Sequence, residues 1–355
     1  MVPIGTLKTK HAKEIVGSQL GIGFECLDRS MWTDSDRVYR YAGELGIKHA
    51  RLQSGWARTE TLPGNYDFSW LDRSVGKLRE NGIAPWLSLS YGNPLYLDSP
   101  GPDATGCHPL VSETARRAWL DYVAATVRHF RGQIASYEIW NEPDNLGFWY
   151  PPPCDMSLYT ELIRITSEVI RREDPSALVI GGALTNALDS RGFKTVKQLL
   201  DAGLAEWIDA LSYHHYSTVI ERQKPEMLQR LRELFARYGK PAMKFIQGEG
   251  GFPSRTGTTQ ALAGIPASER IQAEMLLRYT VNDLAMNVSI SSYFQISDFR
   301  CYHLRGVCGE PNHFGVMTFD DPPRRKESYF ALQRLATLFS SETRLEPFAA
   351  VELYP

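Results

Sequence analysis

Short apolar runs alternate along the chain with longer stretches in which apolar residues recur every three or four positions. The short runs are Leu20–Cys26, Ile47–Leu52, Ala84–Ser90, Ile134–Trp140, Leu178–Gly182, Ile208–Tyr213, Ala242–Gln247 and Val288–Ile296. Several are apolar at successive rather than alternate positions, the pattern of parallel strands covered on both faces. Between them, Leu71, Val75 and Leu78 fall at i, i+4 and i+7, with Gly82 as a stop. Trp119, Val123, Val127 and Phe130 share one helical face. So do Leu158, Leu162, Ile165 and Val169 before Asp174-Pro175, and Met227, Leu231, Leu234 and Tyr238 before Gly239 and Pro241. A last helix fits Ser328–Phe339. These stripes are core packing.

Eight strands, each followed by a helix, predict an α/β fold, a (β/α)8 TIM barrel over residues 1–343. A doubly wound open sheet is the alternative, but it usually has fewer strands and a glycine-rich phosphate loop. Gly21-Ile22-Gly23 lies inside the first strand and reads as packing. Residues 344–355, RLEPFAAVELYP, read as a C-terminal extension with a short extra β segment.

Composition narrows the partners. The 355 residues carry 39 basic and 41 acidic side chains, a net charge of −2. No basic surplus exists to neutralise phosphates, so no nucleic acid is expected. No apolar stretch reaches the length of a membrane span, so no membrane partner is expected. The segment MVPIGTLKTKHAKEIVGSQ lacks the apolar core of a signal peptide. A cytoplasmic location is therefore expected, or a secreted one if a leader has been removed. The cysteines are Cys26, Cys107, Cys154, Cys301 and Cys308, an odd number with no C-x-x-C, so no thiolate metal site is expected. Cys301 and Cys308 share a loop, where free thiols are expected rather than a bridge.

The fourth apolar run continues as YEIWNEPDNLGFWY, Tyr137 to Tyr150. It ends on Asn141-Glu142-Pro143. An arbitrary Asn-Glu-Pro is a solvated turn far more often than a site. The seventh run continues as FIQGEGGFPS, with Glu249 between Gly248 and Gly250. Alone, that is a loop carboxylate between two permissive residues. Together, Glu142 and Glu249 stand at the C-terminal ends of strands four and seven, where barrels of this type carry their chemistry. Two carboxylates across one pocket are what glycoside cleavage needs. One must hold a proton for the leaving oxygen and the other must be ionised, and burial and neighbouring charge drive their pKa values apart.

Other polar residues fall at the same end. In SYHHYS, His214 and Tyr216 share a face by alternation and His215 points the other way, so His214 is read toward the pocket and His215 as a satisfied structural histidine. Arg51, in HARLQSGW, ends strand two and needs an acidic partner if buried. Glu249 is a candidate, and a salt bridge within the barrel wall is the alternative. Glu138 is in phase with Glu142 and competes for the acid role. Trp56, Trp86, Tyr91, Tyr96, Phe148, Trp149, Tyr293, Phe294 and Phe299 crowd these loops, and a sugar cleft would draw its stacking faces from among them. The segments Tyr91–Ser112 and Ser297–His313 would shape that cleft. Arg300 and Arg305 in the latter read as solvated loop residues before they read as contacts for an acidic sugar.

With these residues in place the chain resembles a clan A glycoside hydrolase, and most closely family 39, over about residues 18–340. YEIWNEPDNLGFW resembles the family's acid/base motif on strand four, and SYHHYS its Ser-x-His-x-Tyr after strand six. SSYFQISDF (Ser291 to Phe299) resembles its strand-eight segment, and FGVMTFDDPPRRKESYFAL (Phe314 to Leu332) the approach to the last helix. The resemblance implies Glu142 as general acid/base and Glu249 as the nucleophile of a glycosyl-enzyme intermediate. Asn141 would bond the sugar 2-hydroxyl, Tyr216 and Arg51 would hold Glu249, and His214 would contact the sugar or brace the pair. Trp149 and Phe294 would belong to the substrate site. Configuration would be retained on an oligosaccharide, polysaccharide or glycoside, with no cofactor and no metal.

Two positions depart from the family pattern. Phe294 stands where a Trp platform is usual, and Gly-Glu-Gly replaces a sequence more like Thr-Glu-Trp. Both flank the subsite that sets sugar identity, so the resemblance leaves the sugar open among xylosides, iduronides and microbial exopolysaccharides. A transglycosidase with the same residues and an inactive sugar-binding barrel are the alternatives. A metal hydrolase is disfavoured, because His214 and His215 are adjacent and no His-Glu-x-x-His occurs.

Overall fold

The computed structural model describes residues 7–31, 34–98, 105–185, 187–257, 261–301, 303–304 and 307–343, with the backbone alone at 222, 303–304 and 307–308. The extension at 344–355 and Arg305 lie outside the described residues. Eight parallel strands close into a barrel: β1 (Leu20–Phe24), β2 (His49–Gln53), β3 (Ala84–Leu89), β4 (Ser136–Ile139), β5 (Leu178–Leu184), β6 (Ala210–His214), β7 (Lys244–Glu249) and β8 (Ile290–Tyr293). Chain neighbours are barrel neighbours, and β8 returns to pair with β1. Each strand is followed by a helix: α1 (Asp36–Leu45), α2 (Ser69–Glu80), α3 (Glu113–Phe130), α4 (Met156–Glu173), α5 (Ser190–Asp201), α6 (Ile220–Arg237), α7 (Glu269–Ala285) and α8 (Glu327–Leu338). Several starts carry the side-chain caps that orphan N–H groups require. Ser112, Asp155, Asp189 and Ser268 each accept from the first turn of their helix. No helix among the described residues is long and apolar enough to cross a membrane.

The eight apolar runs are the eight barrel strands. Their outward residues, such as Ile22, Leu52, Leu87, Tyr137, Val179, Leu211 and Phe245, pack with Val75, Trp119, Val123, Leu162 and Leu231 of the helices in one cluster. The inner face is layered. Trp86, Ile180, Ala210 and Ile246, with Ile290 beside them, form an apolar floor. Arg51, Ser88, Glu138 and Ser212 lie above it, all fully buried. Strands buried on both faces therefore carry a polar inner layer toward their C-terminal ends, where the chemistry of such barrels sits.

Two expectations fail. Leu158 is 39% exposed, because α4 turns Tyr159 and Leu162 to the barrel instead. Cys301 is disulfide-bonded rather than a free thiol, while Cys26, Cys107 and Cys154 form no disulfide.

Candidate active site

Arg51 is the centre of the mouth. It sits on the inner face of β2, opposite Gly23 of β1, and is wholly enclosed. A lone buried guanidinium would be prohibitively costly, so its five N–H groups need acceptors. Nε donates to Glu138 on β4 at 2.7 Å. Nη1 donates to Glu249 at the end of β7 at 2.5 Å, and Nη2 donates to Asn141 Oδ1 at 2.8 Å. A third carboxylate, Glu25 just after β1, lies 3.4 Å from Nη1. Both readings of Arg51 hold, since it pairs with Glu249 and with a carboxylate of the barrel wall. Glu138 points inward as its phase with Glu142 predicts, but it is fully enclosed against Arg51 and does not compete for the acid role.

Glu249 reaches this position through a bulge. Tyr213 pairs with Gln247 and His214 with Glu249, so Gly248 is an extra residue on β7. Gln247 faces outward and accepts from Lys224 of α6. Strict alternation would send Glu249 the same way, and the bulge returns it to the inside. Only glycine fits at 248: a Cβ there would lie 2.5 Å from Ser212 Oγ and 3.2 Å from Glu138 Oε1.

Glu142 follows β4 with a positive φ of 49°, and its N–H donates to Ala183 O at 3.0 Å. The Trp140 indole donates to Phe148 O at 2.7 Å and ties the following loop down. Asn145 Nδ2 donates to Glu142 Oε2 at 2.9 Å. His214, whose side chain is wholly buried, bridges the two glutamates, with Nδ1 at 2.8 Å from Glu142 and 3.5 Å from Glu249. It braces the pair, and its ring has no exposed face to offer a sugar. The half-buried Tyr216 donates its hydroxyl to Glu249 Oε2 at 3.1 Å. Glu142 and Glu249 are 8% and 7% exposed, enough to meet a ligand while largely desolvated.

The charges follow from this packing. Burial raises the pKa of Glu142, and the Glu249 charge adds to that rise against the opposing His214 hydrogen bond. Burial presses His214 down, but the charges of Glu249 and Glu142 outweigh it and hold its pKa above the usual value. Glu25 is pushed up to about 8 by burial and then by the Glu249 charge, against the pull of Arg51. Burial likewise keeps Tyr216 protonated. Glu142, His214 and Glu249 each offer a donor atom within 4.8 Å of the others, the grouping a cation would need. The Arg51 guanidinium on Glu249 and the raised pKa of His214 put positive charge at that same spot, which opposes a metal ion.

The structure thus brings Arg51, Asn141, Glu142, His214, Tyr216 and Glu249 together. Phe294 lies at the rim, edge-on to Tyr216 with ring centroids 6.2 Å apart. Trp149 is a correction. It is wholly buried, stacked on His108 at 4.4 Å and edge-on to Trp140 and Tyr159, so no face is left for a sugar. Trp56 and Phe299 are wholly buried too, and Trp86 belongs to the barrel floor. Arg300 lies over Phe319 on the outside. The residue that sequence reasoning missed is Glu25. Its signal was present: Gly21, Gly23 and Glu25 alternate onto the inner face, and Glu25 ends a strand as Glu142 and Glu249 do.

A closed parallel barrel with two glutamates at the ends of β4 and β7 has the form of a glycoside hydrolase. The model of the family "Glycosyl hydrolases family 39" matches residues 44–237, more than half of the chain, and the chain belongs to that family. The β-galactosidase BbgII of Bifidobacterium bifidum is 28% identical over 129 residues, 32% of this chain and 18% of that protein. A family 39 glycoside hydrolase from Bacteroides cellulosilyticus WH2 superposes with a TM-score of 0.71 at 19% identity, over 95% of this chain and 66% of that one. A family 39 β-xylosidase from Caulobacter crescentus gives 0.68 at 22%, over 92% and 73%. The chain thus spans less than a fifth of BbgII and just under two thirds of the Bacteroides enzyme.

Proposed function

We propose that this chain is a retaining glycoside hydrolase, cleaving the O-glycosidic bond of a β-linked sugar by double displacement. The observation that carries the reading is the close approach of Glu142 and Glu249, one oxygen of each lying within 4.8 Å of the other across one mouth and both within reach of His214. Double displacement needs carboxyl groups about 5–5.5 Å apart, whereas inversion needs roughly 6.5–9.5 Å to admit a water. Glu249 attacks the anomeric carbon as Glu142 gives its proton to the departing oxygen. Glu142 then takes a proton from water, and the hydroxide so formed displaces Glu249. The raised pKa of Glu142 suits the acid step. Arg51 and Tyr216 hold Glu249 from two sides. Asn141 has its oxygen committed to Arg51, which turns its amide nitrogen toward a sugar hydroxyl. The β-xylosidase and β-galactosidase names among the similar proteins suggest aryl β-xylosides and β-galactosides as first probes.

The test is the leaving group. Glu142→Ala should lower kcat/KM about 10²–10⁴-fold on glycosides with poor leaving groups and spare the glycosylation step of 2,4-dinitrophenyl glycosides. Equal loss on both would remove Glu142 from the acid role.

A further inference from the structure

The mouth of the barrel holds two carboxyl groups that the two-glutamate mechanism does not use, Glu138 and Glu25. Glu25 is 1% exposed, and its side chain folds back over Gly23. A Cβ at Gly23 would lie 1.8 Å from Glu25 Oε2, so the glycine is the seat of this carboxyl group. Gly23 pairs in register with Arg51. The seat therefore delivers Glu25 to the same guanidinium nitrogen that holds Glu249, at 3.4 Å against 2.5 Å. The charged and titratable groups around it come from several elements. Arg51 is on β2, Glu249 on β7, Tyr216 follows β6, and Cys26, Asp28 and Arg29 follow β1 itself; Glu138 on β4 shares the arginine.

Resting on the reading of Glu249 as nucleophile, we propose that Glu25 is a positioning residue that works through Arg51. Uncharged, it leaves the guanidinium's charge to Glu249; ionised, it competes for that charge and sets the alkaline limit of turnover. One arginine faces Glu25, Glu138 and Glu249. With all three ionised the cluster would carry a surplus of negative charge out of reach of water. A proton on Glu25 relieves this at least cost to the chemistry, since Glu138 and Glu249 make the shorter contacts. The position of Glu25 near pH 8 agrees with this. As pH rises its proton passes to solvent and a second anion appears beside the nucleophile.

The experiment is the pH profile of kcat/KM on 2,4-dinitrophenyl β-xyloside and β-galactoside. These leaving groups need no proton, so the limb belonging to Glu142 is absent. The wild type should fall along a one-proton limb near pH 8. In Glu25→Gln that limb should move up by at least one pH unit or vanish, and Gly23→Ala, which evicts the carboxyl group, should move it as well. A wild type with no such limb, or a limb unmoved in Glu25→Gln, overturns the proposal. Melting temperature against pH gives a readout independent of turnover. A carboxyl raised in the folded state stabilises fully below its unfolded value near 4.5, and this is lost as pH rises to about 8. The wild-type melting temperature should therefore drop, relative to Glu25→Gln, between pH 5 and 8.5, and parallel curves would also overturn the proposal. If no aryl glycoside is turned over, the hydrolase reading fails alone, and the melting curves still decide for Glu25.

Discussion

Strand β7 separates two buried charge clusters of opposite design. On its outer face Lys224 of α6 meets Asp283 of α7, both wholly enclosed, with Gln247 and Ser291 completing their hydrogen bonds. One cation faces one anion there, and the remaining partners are neutral. Tyr213 and Tyr279 offer ring faces to the ammonium at 5.8 Å each, and the His215 beside it is driven down to about 3, by burial and then by Lys224. On the inner face Arg51 is shared among Glu25, Glu138 and Glu249, with His214 reaching Glu249 from the other side at 3.5 Å. The balanced pair joins two helices to the wall and opens on no cleft. The unbalanced cluster sits at the mouth, where burial and then the Glu249 charge lift Glu25 to about 8 against the pull of Arg51. Surplus charge in a buried cluster is costly to stability, and here it coincides with the proposed chemistry.

The strongest way to break this contrast is to remove the carboxylate at the open end of the inner cluster. Glu249→Ala should lower turnover by on the order of 10⁴-fold or more, as loss of a nucleophile does. Azide added to this variant should give no product of the substrate's own configuration. A retained glycosyl azide, detected by proton NMR, would remove Glu249 from the nucleophile's role and leave the inner cluster as structural as the outer.

A second comparison reads the two clusters by stability. Breaking a buried pair by removing one partner costs about 3–5 kcal/mol. Lys224→Met and Arg51→Met should each approach that loss in denaturant unfolding near neutral pH, but their pH dependence should differ. Lys224→Met strands one carboxylate. It should add a slope of up to about 1.4 kcal/mol per pH unit, with stability regained toward acid. Arg51→Met strands Glu138 and Glu249 together, Glu25 already holding its proton near neutral pH, and its slope should be steeper over the same range. Equal slopes would mean that the inner cluster is already neutralised in the wild type. Replacing both Lys224 and Asp283 by Met and Leu should restore most of the loss, because the two charges leave together.

Much of this organisation was legible in the chain. The strands could be read because both faces are buried, which gives β7 its run through Phe245 and Ile246. Glu142 and Glu249 could be read because strand ends of such barrels converge on one mouth. The bulge at Gly248 could not be read. Alternation puts Glu249 in phase with Gln247, and only the observed register shows the extra residue. Trp149 was misplaced because an aromatic beside a catalytic motif suits a sugar platform and a core equally well in sequence. The contacts with His108, Trp140 and Tyr159 decide it for the core. Glu25 was passed over because the glycines before it read as packing. They are packing, and what packs on Gly23 is the carboxyl group itself.

The smallest expected effect sharpens the contrast from outside the barrel wall. Asp144 follows Glu142 in the chain and is half-buried, its carboxylate accepting from Thr185 N at 3.0 and 3.1 Å and from Thr185 Oγ1 at 2.9 Å. Its charge is the weakest of the influences that raise Glu142, behind burial and Glu249. Asp144→Asn keeps an oxygen to accept from Thr185 and deletes the charge. Glu142 should then ionise more readily, and the alkaline limb on a poor leaving group should move to lower pH by less than about one unit, because solvent screens a half-exposed charge. The melting temperature should barely change. Glu25→Gln should move its own limb further and in the opposite direction, toward alkali. If Asp144→Asn shifted its limb as far as Glu25→Gln, exposure would not be what separates the two carboxylates, and the case for a special inner cluster would weaken accordingly.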